Sequence, residues 1–391
     1  MATIYGELKP SPRILLGPGP SNVSPRVLKA MATPMLGYLD PEFIKIMDET
    51  ADMLRAVFGT TNTLTFPVSG TGMSGMEAAL CNIIEPGDEI IVCIKGYFGG
   101  RIADIAGRIG GKPTVVEAEW GKIIPPEKVE DALKKVKAKV VAIVHAETST
   151  GILQPLDEIS KIVHNHGALF LVDCVTSLGG QPVDLDRRCI DISYSGTQKC
   201  LGGPPGLAPI SFSEAAVKAI KNRKTKVQSF YFDMNLLERY WGGEQRAYHH
   251  TLSMTMVYAL REALRIVLEE GLEARYARHQ CNADALKAGL TAMGMKLVAQ
   301  EGYRAPMLTT VAIPDGVADA NIRKALLNEY GIEIGGGLGV FAGKAWRIGL
   351  MGESSTQSNV LLLLSVLEKL LSREGYKVEP GIGVSAVVRI K

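Results

Sequence analysis

The sequence predicts an α/β fold with a mostly parallel sheet, on three observations. Short apolar runs alternate with longer amphipathic stretches, the pattern of strand–helix–strand units. A glycine-rich turn, Gly70-Thr71-Gly72-Met73-Ser74-Gly75, joins an extended stretch to a helical one. Two apolar runs lead into chemically capable side chains, Asp173 and Lys199, as expected where the carboxyl ends of strands open onto a ligand site.

Taken in order, Met1–Pro20 is broken by Pro10, Pro12, Pro18 and Pro20 and has no basic segment followed by an apolar one, so it reads as an arm rather than a leader. Leu64–Val68 is extended. Candidate strands follow at Glu89–Ile94, Val140–His145, Leu169–Asp173, Ile190–Ser195 and Leu207–Ser211. Helical patterns fall between them at Gly72–Ile84, Pro126–Lys135 and Leu156–His166. The last follows Pro155 and stops at Gly167, because proline suits a first helical turn and glycine a left-handed end. Thr251–Glu301 reads as strongly helical, with Ala259–Glu270 apolar at i, i+3, i+4 spacing. The α/β pattern then restarts: strand Leu308–Ile313, helix Ala318–Tyr330, strand Ala345–Leu350, helix Gln357–Leu371. The expected organisation is an arm over residues 1–20, a large domain over 21–270 and a small C-terminal α/β domain over 271–391, joined by one long helix.

Composition narrows the class. The 391 residues are 46% hydrophobic and 21% charged, with 42 Gly and 20 Pro, which argues against disorder, collagen-like repeats and coiled coil. The balance of 43 Lys+Arg against 41 Asp+Glu gives no reason to expect a nucleic-acid or membrane-surface partner. No apolar run approaches the ~18 residues of a membrane span. The six cysteines lack CxxC spacing, so no metal site is expected, and buried thiols in a reducing cytoplasm are the simpler reading. The C-terminal Val388-Arg389-Ile390-Lys391 is not a peroxisomal tripeptide. His164 and His166 read as helix-end residues, His249, His250, Trp241 and Trp346 as packing residues, and the basic run Lys218–Lys226 as a solvated face.

The Gly70–Gly75 loop fits the dinucleotide spacing G-x-G-x-x-G, so an NAD(P)-dependent oxidoreductase is an alternative. That fingerprint needs an acid at the end of the next strand, and Glu89–Ile94 runs instead into Lys95-Gly96-Tyr97-Phe98. The firmer expectation is a single phosphate on free helix-start amides. A strand-end carboxylate and a lysine beside such a site suit pyridoxal 5′-phosphate. The lysine forms a Schiff base with the aldehyde, and the aspartate pairs with the protonated ring nitrogen.

The ordered segments Leu16-Gly17-Pro18-Gly19-Pro20-Ser21, Ser69-Gly70-Thr71-Gly72, Glu85-Pro86-Gly87-Asp88, Glu147-Thr148-Ser149-Thr150-Gly151, Val172-Asp173, Ser195-Gly196-Thr197-Gln198-Lys199, Tyr248-His249-His250-Thr251 and Arg347-Ile348-Gly349-Leu350 carry a broader likeness. From about Leu15 to Leu371 the chain resembles the fold-type I, class V aminotransferases, nearest to the alanine–glyoxylate and serine–glyoxylate (serine–pyruvate) group. The resemblance implies a large domain with a mostly parallel seven-stranded sheet between helices, and a smaller C-terminal α/β domain. It implies Lys199 as the catalytic, cofactor-bonding lysine and Asp173 as the ring-nitrogen partner. Thr71, Gly72 and Gln198 would hold the phosphate, with Met73 also at the cofactor but poorly suited to a phosphate role, and Thr148 would lie near the ring's phenolic oxygen. Phe98 stands where animal relatives stack a tryptophan on the ring, and Met73 where some relatives carry a histidine. Arg347, with Gly19, would form the substrate site. Tyr248 and Thr251 would reach the phosphate of a second subunit, which implies a homodimer.

The activity implied is ping-pong transfer of an amino group from alanine or serine to glyoxylate or pyruvate. A ureidoglycine–glyoxylate aminotransferase is the near alternative. A cysteine desulfurase would need a nucleophilic cysteine where this chain has Gly335-Gly336-Gly337-Leu338-Gly339.

Overall fold

The computed structural model describes residues 5–243 and 245–388; the start of the arm (1–4) and the C-terminal tripeptide (389–391) lie outside them. Seven strands form the main sheet: β1 (Leu64–Ser69), β2 (Glu89–Ile94), β3 (Lys112–Glu117), β4 (Val140–Val144), β5 (Leu169–Asp173), β6 (Ile192–Tyr194) and β7 (Leu207–Phe212). Their order across the sheet is β1-β7-β6-β5-β4-β2-β3. β7 runs antiparallel to both neighbours, and every other pairing is parallel. The central β4, Val-Val-Ala-Ile-Val, is buried at all five positions, as a strand covered on both faces must be.

The sequence reading missed β3. Its ends are charged, Pro113 interrupts it, and only Val116 is buried. Those are properties of an edge strand, where proline's missing donor costs no ladder bond.

Helices α1 (Pro41–Phe58), α2 (Gly72–Ile83), α3 (Tyr97–Arg108), α4 (Pro126–Leu133) and α5 (Asp157–Asn165) cover this sheet. Asp40 caps α1 by accepting the Glu42 N–H at 2.8 Å, ahead of a proline at the first helical position. The helical region expected over Thr251–Glu301 is divided into two helices, α6 (Met254–Glu270) and α7 (Leu272–Ala292). Gly271 breaks it at φ +82°, its N–H closing onto the Val267 carbonyl at 3.1 Å.

Beyond α7, β8 (Leu308–Ala312), β9 (Gly335–Gly336) and β10 (Ala345–Gly349) form an antiparallel sheet ordered β8-β10-β9, packed with α8 (Asp319–Tyr330) and α9 (Gln357–Arg373). Two large apolar clusters result. One runs from Phe43 to Val267; the other joins residues from Ala285 to Val387 with Leu16. Leu16 is fully buried there because Ile14–Leu15 pairs in parallel with Ile332–Glu333. That pairing fixes the path of the arm, so the chain after Leu16 crosses the carboxyl end of the main sheet at Pro18–Pro20.

Candidate active site

Lys199 lies five residues beyond β6, in the connection 195–206 that leads to β7. Its Nζ donates to the carbonyl of Pro18 on the arm. Gly19 has φ +101°, and a Cβ there would stand 2.6 Å from Lys199 Nζ, so only glycine lets the arm approach the amine so closely. Burial, with the nearby Arg347 charge, lowers the Lys199 pKa to about 8. A cofactor-free preparation should therefore capture pyridoxal phosphate about tenfold faster per pH unit up to about 8 and level off above it, as neutral amine accumulates. Stopped-flow absorbance gives that profile directly; a flat profile would contradict it. Gly19→Ala should displace the amine and strain the arm, costing about 1–3 kcal/mol and slowing cofactor capture. Thermal unfolding and capture rate measure the two effects.

Asp173 ends β5 and is 3% exposed. Its Oδ1 accepts the Val175 N–H at 2.8 Å and its Oδ2 the Tyr194 hydroxyl at 2.9 Å. Desolvation nevertheless raises its pKa to about 6, against the pull of those two donors. A buried carboxylate so placed is completed by a proton donor that carries positive charge, which a protonated pyridine nitrogen is.

The glycine loop opens α2. Gly70, at φ +120°, turns the chain so tightly that a Cβ would meet Ser74 Oγ at 2.0 Å, and a Cβ on Gly72 would meet Val175 Cγ2 at 2.9 Å. The amides of Thr71, Gly72 and Met73 have no acceptor among the described residues, because a helix's first turn has no preceding carbonyls to serve them. Gln198 faces the same place, since a Cβ on Gly196 would touch both Gln198 Oε1 (2.8 Å) and Gly72 N (3.4 Å). That Oε1 is buried without a partner; half a turn of the amide presents its NH₂ instead. Open amides and an unsatisfied carboxamide fit a phosphate, and Asp173 and Lys199 fit a pyridine ring bearing an aldehyde.

Eight of the expected residues line one cavity: Thr71, Gly72 and Met73 from the loop, Phe98 and Thr148, and Asp173, Gln198 and Lys199 from strand ends. Gly19 adjoins it through Lys199. Arg347 stands just behind the wall. It projects from the middle strand β10, with Nε donating to Gly336 O at 2.7 Å and Nη1 to Thr148 O at 3.4 Å. Burial lowers its pKa only to about 10, so it remains a cation. Tyr248 and Thr251 do not line the cavity. Both are exposed and bond each other at 3.3 Å, while the intervening His250 reaches Ser69 Oγ, at the end of β1, at 3.3 Å.

The remaining histidines behave structurally. His164 bonds Asp191 Oδ2 at 2.9 Å and His166 the Ile162 carbonyl at 2.9 Å, so each has its own partner. Trp241 stacks on Phe66 at 5.4 Å, and buried Trp346 donates to Asp319 at 2.8 Å. Sequence reasoning overlooked four contributors: Pro18 as the amine's acceptor, Tyr194 as the donor to Asp173, and the buried charges Lys95 and Glu147. For the last pair a signal existed, because Lys95 directly follows the apolar run ending at Ile94 and Glu147 comes three residues after the one ending at Val144.

Comparison with known proteins agrees with this geometry. The sequence profile of the class-V aminotransferases matches residues 15–360. The (S)-ureidoglycine–glyoxylate transaminase of Bacillus subtilis is 43% identical over 97% of this chain and 95% of its own, and the alanine–glyoxylate aminotransferase of Drosophila melanogaster 42% identical over 94% and 95%. Among solved structures, the ureidoglycine–glyoxylate aminotransferase of Bacillus subtilis superposes with TM-score 0.96 at 44% identity, covering 98% of this chain and 99% of that one. The alanine–glyoxylate aminotransferase of Nostoc sp. superposes with TM-score 0.93 at 47% identity, covering 94% and 98%.

Proposed function

This chain belongs to the class-V aminotransferases, fold-type I enzymes that use pyridoxal phosphate, and we propose that it moves an amino group from alanine or serine to glyoxylate by ping-pong chemistry. The observation that carries this reading is the single cavity joining Lys199, Asp173 and the Thr71–Met73 loop, with Arg347 one carbonyl away. Family membership leaves the nicotinamide alternative without support.

Each residue has a part. The amides of Thr71–Met73 and the Gln198 carboxamide would hold the phosphate, and Asp173 would keep the ring nitrogen protonated. The Phe98 ring lines the same cavity and would offer an aromatic face to the cofactor. Arg347, held by the Gly336 and Thr148 carbonyls, takes the substrate α-carboxylate with two N–H donors of its guanidinium. Bound pyridoxal phosphate supplies the electron sink that makes the donor's Cα–H acidic. Lys199 Nζ would take that proton from Cα and pass it to C4′ of the cofactor, and would carry a proton the opposite way, from C4′ to Cα, in the second half-reaction. Its depressed pKa keeps a usable fraction of neutral amine near neutral pH.

A homodimer completes the reading, with Tyr248 and Thr251 serving the phosphate site of a second copy. The exposed Tyr248, Phe230, Tyr231 and Met35 supply apolar area for that interface. Residues 21–270 would bind the cofactor and 271–391 deliver Arg347. No described helix is long and apolar enough to cross a membrane, and all six cysteines are unpaired, so a reducing cytoplasm is the proposed location.

A second reading, with (S)-ureidoglycine as the donor, is favoured by the similarity to the Bacillus subtilis enzyme. Among the residues lining the cavity Lys199 is the only cation, so nothing there pairs with a distal carboxylate on the donor. A panel of alanine, serine, glutamate and ureidoglycine against glyoxylate decides between the readings. Alanine or serine should give the highest kcat/KM; preference for ureidoglycine would establish the second reading.

A further inference from the structure

We propose that Glu147 is a positioning residue of this site, whose buried carboxylate ties the segment carrying Phe98 to the turn carrying Thr148 and, through Thr148, to Arg347. The inference rests on the functional reading above and deepens it.

Helix α3 begins at Gly96, which has no side chain to cap it. The caps come from another part of the chain. Glu147 Oε2 accepts the Phe98 N–H at 3.2 Å, and Ser149 Oγ accepts the Tyr97 N–H at 3.0 Å. Glu147 Oε1 holds Ser149 in turn, accepting its N–H at 3.1 Å and its hydroxyl at 2.7 Å. The Glu147 carbonyl closes the same turn by accepting the amides of Thr150 at 3.2 Å and Gly151 at 2.8 Å. An anion at a helix start is favoured by the unpaired amides there.

Close packing makes the junction specific. A Cβ on Gly96 would lie 2.3 Å from Glu147 Cγ and 2.5 Å from Ser149 Oγ. Glu147 is 1% exposed, and its charge is the one that most supports two buried cations, Lys95 and Arg347. Lys95 spends its Nζ on the Val144 carbonyl. One carboxylate therefore fixes the ring wall, Phe98, and the residue that docks the substrate clamp, Thr148, without itself lining the cavity.

The test uses full-length protein loaded with pyridoxal phosphate, as Glu147→Ala, Glu147→Gln and Ser149→Ala. Readouts are the visible circular dichroism of the cofactor band, which reports ring orientation, and KM and kcat for alanine and glyoxylate. Glu147→Ala should weaken the dichroic band and raise KM for alanine by about tenfold or more, the loss of a charge-assisted network. Glu147→Gln keeps an acceptor for Ser149 and should recover part of both effects, and Ser149→Ala should show a smaller shift in the same direction. Unchanged dichroism and KM in a folded, loaded Glu147→Ala would overturn the proposal, as would a fall in kcat alone. If Glu147→Ala does not fold, the other two variants decide by the same readouts, and wild-type values in both overturn it. A parent protein that takes up no cofactor, or does not transaminate glyoxylate, defeats the functional reading instead.

Discussion

Lys199→Ala is expected to lower transamination by about 10²–10⁴-fold or more, because it removes the group that moves the proton at the donor Cα. The fold should survive. The substitution deletes a buried amine and leaves only the Pro18 carbonyl without its donor, a loss of about 1–3 kcal/mol that relief of the buried amine's desolvation offsets. Cofactor should still bind through the Thr71–Met73 amides and Asp173, without a covalent link. Single-turnover measurement with alanine tests the claim, and wild-type turnover would refute it.

Arg347→Lys should raise KM for both amino donor and oxo-acid acceptor by about 10–100-fold, with the cofactor's absorbance unchanged. The guanidinium is planar and anchored by Gly336 O through Nε, which leaves its outer edge aimed as a fork; an ammonium on a flexible stem cannot reproduce two parallel donors. Steady-state kinetics separates this from a folding defect. A KM within twofold of the parent would show that another group takes the α-carboxylate. Because the Arg347 charge helps to lower the Lys199 pKa, Arg347→Met should also move the cofactor-capture profile to higher pH.

Much of this arrangement was legible in the sequence because the strands that carry it are parallel and buried. β2, β4 and β5 read as apolar runs, and their ends announced Asp173 directly. β3 was not legible, since an exposed edge strand with Pro113 and charged ends lacks the apolar signature. The break at Gly271 was also missed, because one glycine inside a long amphipathic pattern leaves the periodicity on either side intact. The site's supporting bonds were less legible still. Pro18 reaches Lys199 only because Leu15 pairs beside Glu333, and Glu147 reaches Phe98 only across two strands of the sheet. Such contacts depend on long-range register, which local spacing does not encode. Tyr248 and Thr251 mark a further boundary: the role proposed for them, in a second subunit's site, is not one that the packing of a single chain can display.

Lys199 is the residue proposed to bind the cofactor covalently. Borohydride reduction of the pyridoxal phosphate-loaded protein, followed by peptide mapping, tests it most directly. The label should fall on the peptide containing Lys199 and vanish in Lys199→Ala. Label on Lys95, Lys287 or any other lysine, or no label at all, would contradict it.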